Sequence, residues 1–169
     1  FPVPKELATG PDGKDFRDGA GTYLETDKAK AKEYFDKALA ELGKTTLTYT
    51  MLVEDTEASI NVAQFIQAEM QNALPGLTVE LQTMPKKNRV ERMQQGDYEL
   101  VLTRWGPDYA DPMTYLDMWI TGSSNNYGSW SNPEYDAIIE SAKKGELALD
   151  PVARWKALQD AEKFVMDEA

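Results

Sequence analysis

Three short runs with a two-residue period, each separated from the next by a segment of helical period, restrict this chain more than any other feature. The first, "TTLTYTML" at 45–52, sets Thr46, Thr48 and Thr50 against Leu47, Tyr49 and Met51, the alternation of a half-buried strand. The second is "LTVELQ" at 77–82, and the third is "YELVLT" at 98–103 with its continuous apolar run Leu100, Val101, Leu102. Between the first two, residues 56–73 carry Ser59, Val62, Ala63, Ile66, Met70 and Ala73 at helical spacing, and "PG" at 75–76 closes the segment. A shorter helix is expected from Pro85 to Gln95, after which "GD" at 96–97 turns the chain into the third run. Strands joined by helices of crossover length form right-handed βαβ units. The expected fold class is therefore α/β: a largely parallel or mixed sheet flanked by helices on both faces.

The remaining segments are helical or irregular. Residues 1–26 are rich in Pro, Gly and Asp, with a turn at "GPDG", and are expected to form an irregular lead-in. From Asp27 to Leu42 the positions Ala31, Tyr34, Phe35, Ala38, Leu39 and Leu42 follow helical spacing, with Thr26 or Asp27 to cap the start and Gly43 to end it. Asn132 with Pro133 begins another helix, and Asp150 with Pro151 a last one carrying Trp155, Leu158, Ala161 and Val165. Residues 27–169 are expected to form a single α/β lobe around one core, since a chain of 169 residues can bury roughly 70% of the surface it exposes when unfolded. The lysines and glutamates at 28–44 and 140–146 read as solvated helix faces. The chain starts without methionine or a signal-like segment and stops while an amphipathic pattern is still running, so it reads as a piece of a larger protein.

Composition removes several classes of function. The formal net charge of -11 repels phosphate backbones and anionic lipid and attracts cations, amines among them, which makes nucleic acid an unfavourable partner. With no cysteine and no histidine, thiol chemistry, disulfides, His-dependent nucleophilic sites and the usual zinc ligands are absent. Catalysis of any kind would rest on carboxylates, lysine or tyrosine. No cofactor and no metal is implied, and no apolar run approaches the roughly 20 residues of a membrane span.

The stretch "TRWGPDYADPMTYLDMW" at 103–119 packs three aspartates, two tryptophans and two tyrosines around two prolines. It follows the carboxyl end of the third strand, the edge where open α/β sheets bind ligands. Asp111 precedes Pro112 and a helical pattern, so its side chain is placed to cap that helix. Asp117 falls within the same short helix as a solvent-facing or locally paired carboxylate. Asp108, in the turn "WGPDY", can hydrogen-bond its own backbone or stand at the mouth of a cleft, flanked by Trp105 and Tyr109, and pair with a cation. The loop "TGSSNNYGSW" at 121–130 offers the amides of Asn125 and Asn126 to a ligand or simply joins two helices. Asp108, Asp111 and Asp117 could also form an acid pair for glycoside hydrolysis or an oxygen-ligand site for magnesium or calcium. Acids with Trp and Tyr equally describe a carbohydrate site.

"GDYELVLTRWGPDYADPMTYLDMW" followed by "SSNNYGSWSNPEYDAII" closely resembles the corresponding region of the extracytoplasmic peptide-binding proteins of ABC importers, of the oligopeptide-binding type. The likeness extends to "PVPKELATGPDGKDF", "DKAKAKEYF" and "RWKALQDAEKFVMDEA", nearly the whole chain. It implies one lobe of a bilobed, type II periplasmic-binding-protein-like fold, cut before the chain returns to the other lobe. It implies a monomeric protein, not an enzyme, that binds short peptides and delivers them to the importer's membrane permease. The location implied is extracytoplasmic, either periplasmic or lipid-anchored to the outer face of the cytoplasmic membrane. An aspartate in the family's W-x-x-D-Y turn pairs with the peptide's amino terminus, so Asp108 inherits that role, with the backbone of Gly106 helping to hold the first peptide unit. Where some relatives carry a ligand-contacting arginine three positions before the tryptophan, this chain has Leu102, and Arg104 does not inherit that role. The alternative within the same architecture is a carbohydrate-binding lobe.

Overall fold

The computed structural model describes residues 2–21 and 23–168. They divide into two compact units, one of residues 26–104 and the other of the residues up to 25 together with those from 105 onward. Where the sequence leads one to expect one core, two separate apolar clusters form.

In the contiguous unit, α2 (Lys28–Leu42), β1 (Leu47–Glu54), α3 (Glu57–Ala73), β2 (Leu77–Met84), α4 (Lys86–Gln94) and β3 (Leu100–Val101) follow in order, after a short α1 (Phe16–Ala20) that belongs to the other unit. Asp27 caps α2 by accepting from the amide of Lys30, and Gly43, at φ 63°, ends it. Thr56 caps α3 in the same way through the amide of Ser59. The sheet is parallel in the order β2–β1–β3, with Leu47 opposite Leu77 and Glu54 opposite Met84. Met51, Leu52 and Val53 are all buried. Successive strand residues point to opposite faces, so both faces of β1 are covered there. The core joins Met51, Val53, Ala63, Leu77 and Val79 with flanking Phe35, Ile66 and Met70.

The third strand is shorter than its sequence suggests. It pairs with β1 only through Met51 opposite Leu100 and Leu52 opposite Val101, with one further bond from the amide of Leu102 to the carbonyl of Leu52 at 2.9 Å. Upstream, the amide of Thr50 donates instead to the Glu99 carboxylate at 2.7 Å, so a side chain occupies the position a strand carbonyl would take. The outer edge of β2 is closed by a related device. Gln71 accepts from the amide of Val79 at 2.8 Å, and Gln67 donates to its carbonyl at 2.6 Å. Two glutamines of α3 thereby satisfy backbone groups that an exposed edge would offer to another strand.

The other unit draws on both ends of the chain. It contains α1, α5 (Met113–Leu116), a 3-10 turn at Asp117–Trp119, α6 (Pro133–Lys144), a 3-10 turn at Glu146–Leu149 and α7 (Pro151–Glu168). Asn132 caps α6 through the amides of Glu134 and Tyr135, and Asp150 accepts from the amides of Val152 and Ala153 at the start of α7. Residues 1–26, of which Phe1 and Thr22 lie outside the described residues, are irregular along most of their length, but they carry a five-residue helix and pack into the core. Asp15 forms a capping box with Asp18 to start α1, and Val3, Phe16 and Ala20 enter the core beside Leu116, Tyr135, Ile139, Leu158 and Val165. The fully buried Glu162 of α7 accepts from the amide of Val3 at 2.9 Å and pairs with Arg17. Gln159 donates to the carbonyl of Phe16 at 3.0 Å, and Phe16 meets Trp155 edge to face at 5.4 Å. Apolar residues scattered among prolines and glycines are enough, because α7 supplies the partners.

Candidate functional site

The turn from Trp105 to Asp108 is anchored from behind by one residue. Thr114, 2% exposed, accepts from the Trp105 indole through its carbonyl at 3.0 Å and from the amide of Asp108 through its hydroxyl at 3.0 Å. Two anchors on one buried threonine fix both ends of the W-G-P-D turn. Nothing in the sequence marks Thr114 for this task, since a threonine among apolar neighbours reads as an ordinary helix residue.

The three aspartates separate by partner. The Asp111 carboxylate accepts from the amide of Met113 at 2.9 Å, which makes it the cap its position before Pro112 suggests. It also receives a bidentate pair from Arg154 at 2.8 and 3.0 Å, while the Arg154 Nε donates to the carbonyl of Ala142 at 2.9 Å. Asp117 lies 3.5 Å from the ammonium of Lys143 on α6, so it is paired, though by a partner distant in sequence rather than a local one. Asp108 is exposed, and its carboxylate has no hydrogen bond or ion pair among the described residues. Of the three, it is the one that faces solvent without a counter-ion.

The surroundings suit a cation. Trp105 is 36% exposed and Tyr109 49%, and a Cβ added at Gly106 would meet nothing within 4 Å, so backbone and ring faces in the turn are open. The Tyr109 phenol is pushed above its ordinary value by partial burial and then by the negative charges of Asp117, Asp111 and Asp108, with Arg154 opposing. The local field of the turn is therefore negative, which favours an ammonium. Among the described residues, no group of three or more His, Cys, Asp or Glu side chains is placed to hold a metal ion.

The second candidate pair divides. Asn126 is buried, and its amide donates to the carbonyls of Trp130, Ile120 and Trp119 while its oxygen accepts from the amide of Trp130 at 3.2 Å. The side chain therefore staples the loop 121–130 closed rather than standing free for a ligand, because backbone groups near the core require an internal partner. Asn125 is half-buried, with its amide on Ser123 at 3.3 Å, and its side chain makes no hydrogen bond among the described residues. Tyr135 is buried and donates to the carbonyl of Leu116. Burial pushes its phenol far above the ordinary range, as befits a packing residue.

The sequence profile of the bacterial extracellular solute-binding proteins, family 5 (Middle), matches residues 2–127, and the chain belongs to this family. It is 39% identical over 140 residues to the dipeptide-binding protein of Lactococcus lactis subsp. cremoris (strain MG1363), covering 82% of this chain and 26% of that protein. To the dipeptide-binding protein DppE of Bacillus subtilis (strain 168) it is 33% identical, covering 95% of this chain and 29% of the relative. Among solved structures, the substrate-binding domain of an oligopeptide ABC transporter from Bacillus anthracis str. Ames superimposes with a TM-score of 0.89 at 39% identity, over 98% of this chain and 32% of that one. Listeria monocytogenes OppA bound to peptide gives 0.83 at 35% identity, over 96% and 30%. The chain thus spans between a quarter and a third of the length of these relatives, and its small parallel sheet flanked by helices is part of a type II periplasmic-binding-protein-like fold.

Proposed function

We propose that this chain is the peptide-recognising part of an extracytoplasmic binding protein that delivers short peptides to the membrane permease of an ABC importer. In this reading Asp108 pairs with the peptide's amino terminus, and Trp105, Gly106 and Tyr109 frame it. The observation that carries it is the state of the three aspartates: Asp111 and Asp117 have cationic partners, whereas Asp108 stands exposed and uncompensated on a turn fixed by Thr114. Peptides of varied sequence share only their termini and backbone, so a general reader needs a fixed carboxylate for the ammonium and strand-like bonds for the rest. The named relatives bind dipeptides and oligopeptides, which supports the same reading here. Binding without turnover is all such a site performs.

The test is an amide chemical-shift titration of the protein with a short peptide and with the same peptide acetylated at its amino terminus. Shifts at Trp105–Tyr109 that disappear on acetylation are expected. Equal shifts with both peptides would remove Asp108 from the role, and shifts produced by a neutral disaccharide alone would favour the carbohydrate reading.

A further inference from the structure

In the contiguous unit, the carboxyl ends of β1 and β3 and the first turns of α3 enclose a cavity of about 100 Å³, whose lining includes Glu54, Ser59, Val62, Arg89 and Arg104. Two guanidinium groups here face one carboxylate. Arg89 is 3% exposed, donates to Glu54 at 3.2 Å and to the Met93 sulfur at 3.0 Å, and its Nε is buried without a hydrogen-bond partner among the described residues. Arg104 lies 3.7 Å from the other Glu54 oxygen, and its side chain is 66% exposed. At that separation and exposure the second pair is weak, so Arg104 can turn to another acceptor while Glu54 remains compensated by Arg89.

The cavity carries one net positive charge in a chain of net charge -11, and the amino end of the 17-residue α3 adds the positive end of its dipole. Glu57, in the first turn of α3, is exposed and outside the lining. We infer that this cavity is a subsite for an acidic side chain of the bound peptide, with Arg104 closing on its carboxylate. The inference rests on the peptide-binding reading and adds a preference to it. A volume of about 100 Å³ takes a carboxymethyl or carboxyethyl group. A peptide's terminal residue would bring a second side chain and a peptide unit into the same space. Arginine suits the task because its fork matches a carboxylate with two parallel bonds.

Calorimetry on the protein carrying this chain decides it, with trialanine, with tripeptides bearing glutamate or glutamine at each position in turn, and with their carboxyl-terminal amides. In at least one position glutamate should bind about tenfold more tightly than glutamine, the size of a hydrogen-bonded charge contact, and amidation should leave that ratio intact. Arg104→Gln, at an exposed position that folding does not depend on, should bring the ratio to about one. If trialanine binds but glutamate has no advantage anywhere, or if the advantage survives Arg104→Gln, the subsite is wrong and the peptide reading stands. Loss of the advantage on amidation would reassign the cavity to the chain terminus and overturn the side-chain claim. If no peptide binds, the peptide reading falls and the subsite with it.

Discussion

The unit of residues 26–104 is one uninterrupted stretch of chain, in which β1 pairs with β2 across one helix and with β3 across two helices and the strand between them. The unit that carries Asp108 is assembled from both ends, and its central ties, Val3 to Glu162, Arg17 to Glu162 and Phe16 to Trp155, join residues well over a hundred positions apart. The first is stabilised by local patterns that any short window of sequence contains. The second depends on long-range contacts whose loop-closure entropy must be overcome before they help. The candidate turn around Asp108 sits in the second kind of unit, so its geometry is only as firm as contacts made far along the chain.

Breaking those ties should loosen the discontinuous unit and leave the contiguous one folded. Glu162→Ala would remove the buried Arg17–Glu162 pair and leave the Val3 amide without the acceptor it has in the fold, at a cost of about 3–5 kcal/mol. Hydrogen exchange should then rise in α1, α5 and α7 while β1 and β2 stay protected. Uniform loss of protection would show that the two units do not unfold independently. Asp108→Asn makes the converse change, altering function without altering the fold. Denaturant midpoints should move by less than about 0.5 kcal/mol, as for other exposed sites. Peptide affinity should fall by about 2 kcal/mol or more, roughly thirtyfold, when measured by calorimetry.

In the contiguous unit, replacing both Gln67 and Gln71 by alanine removes the two bonds on the β2 edge, each a loss of about 1 kcal/mol. Concentration-dependent association in sedimentation should appear as the edge opens. The gentlest probe is alkali. The Tyr135 and Tyr109 phenols are raised above their ordinary value in the folded state, so the stability they contribute is complete below about pH 10 and declines as the pH rises past it. Both belong to the discontinuous unit, so near-ultraviolet dichroism there should fade first, and Tyr135→Phe should flatten the slope.

Much of this was legible in the sequence because the signal was local. Asp27, Asn132 and Asp150 cap the helices that follow them, and the parallel direction of the strands follows from crossover length. Asp111 showed itself as a cap by standing before Pro112, whereas for Asp108 the sequence left two readings, a turn-stabilising bond to its own backbone or a carboxylate open to a cation. What remained hidden was set by partners distant in sequence. The packing of the lead-in stayed hidden because Val3, Phe16 and Ala20 have no neighbours of their own to pack on until α7 arrives. The third strand looked longer than it is because nothing in "YELVLT" reveals that the Glu99 side chain takes the amide of Thr50. Asn126 looked available because an amide in a polar loop gives no sign of whether its bonds point outward or back into the loop.

The sequence by itself placed the helices and strands and their parallel direction, since each depends on spacing within a few turns of chain, and it singled out Asp108 only as a candidate to meet an ammonium. Only the tertiary structure decided that Thr114 and Arg154 hold the turn, that Asp111 and Asp117 are already paired, and that Arg104 stands over a cavity with charge to spare. Those outcomes depend on which groups meet across the fold, and a side chain's partner, unlike its periodicity, is not written in its neighbours.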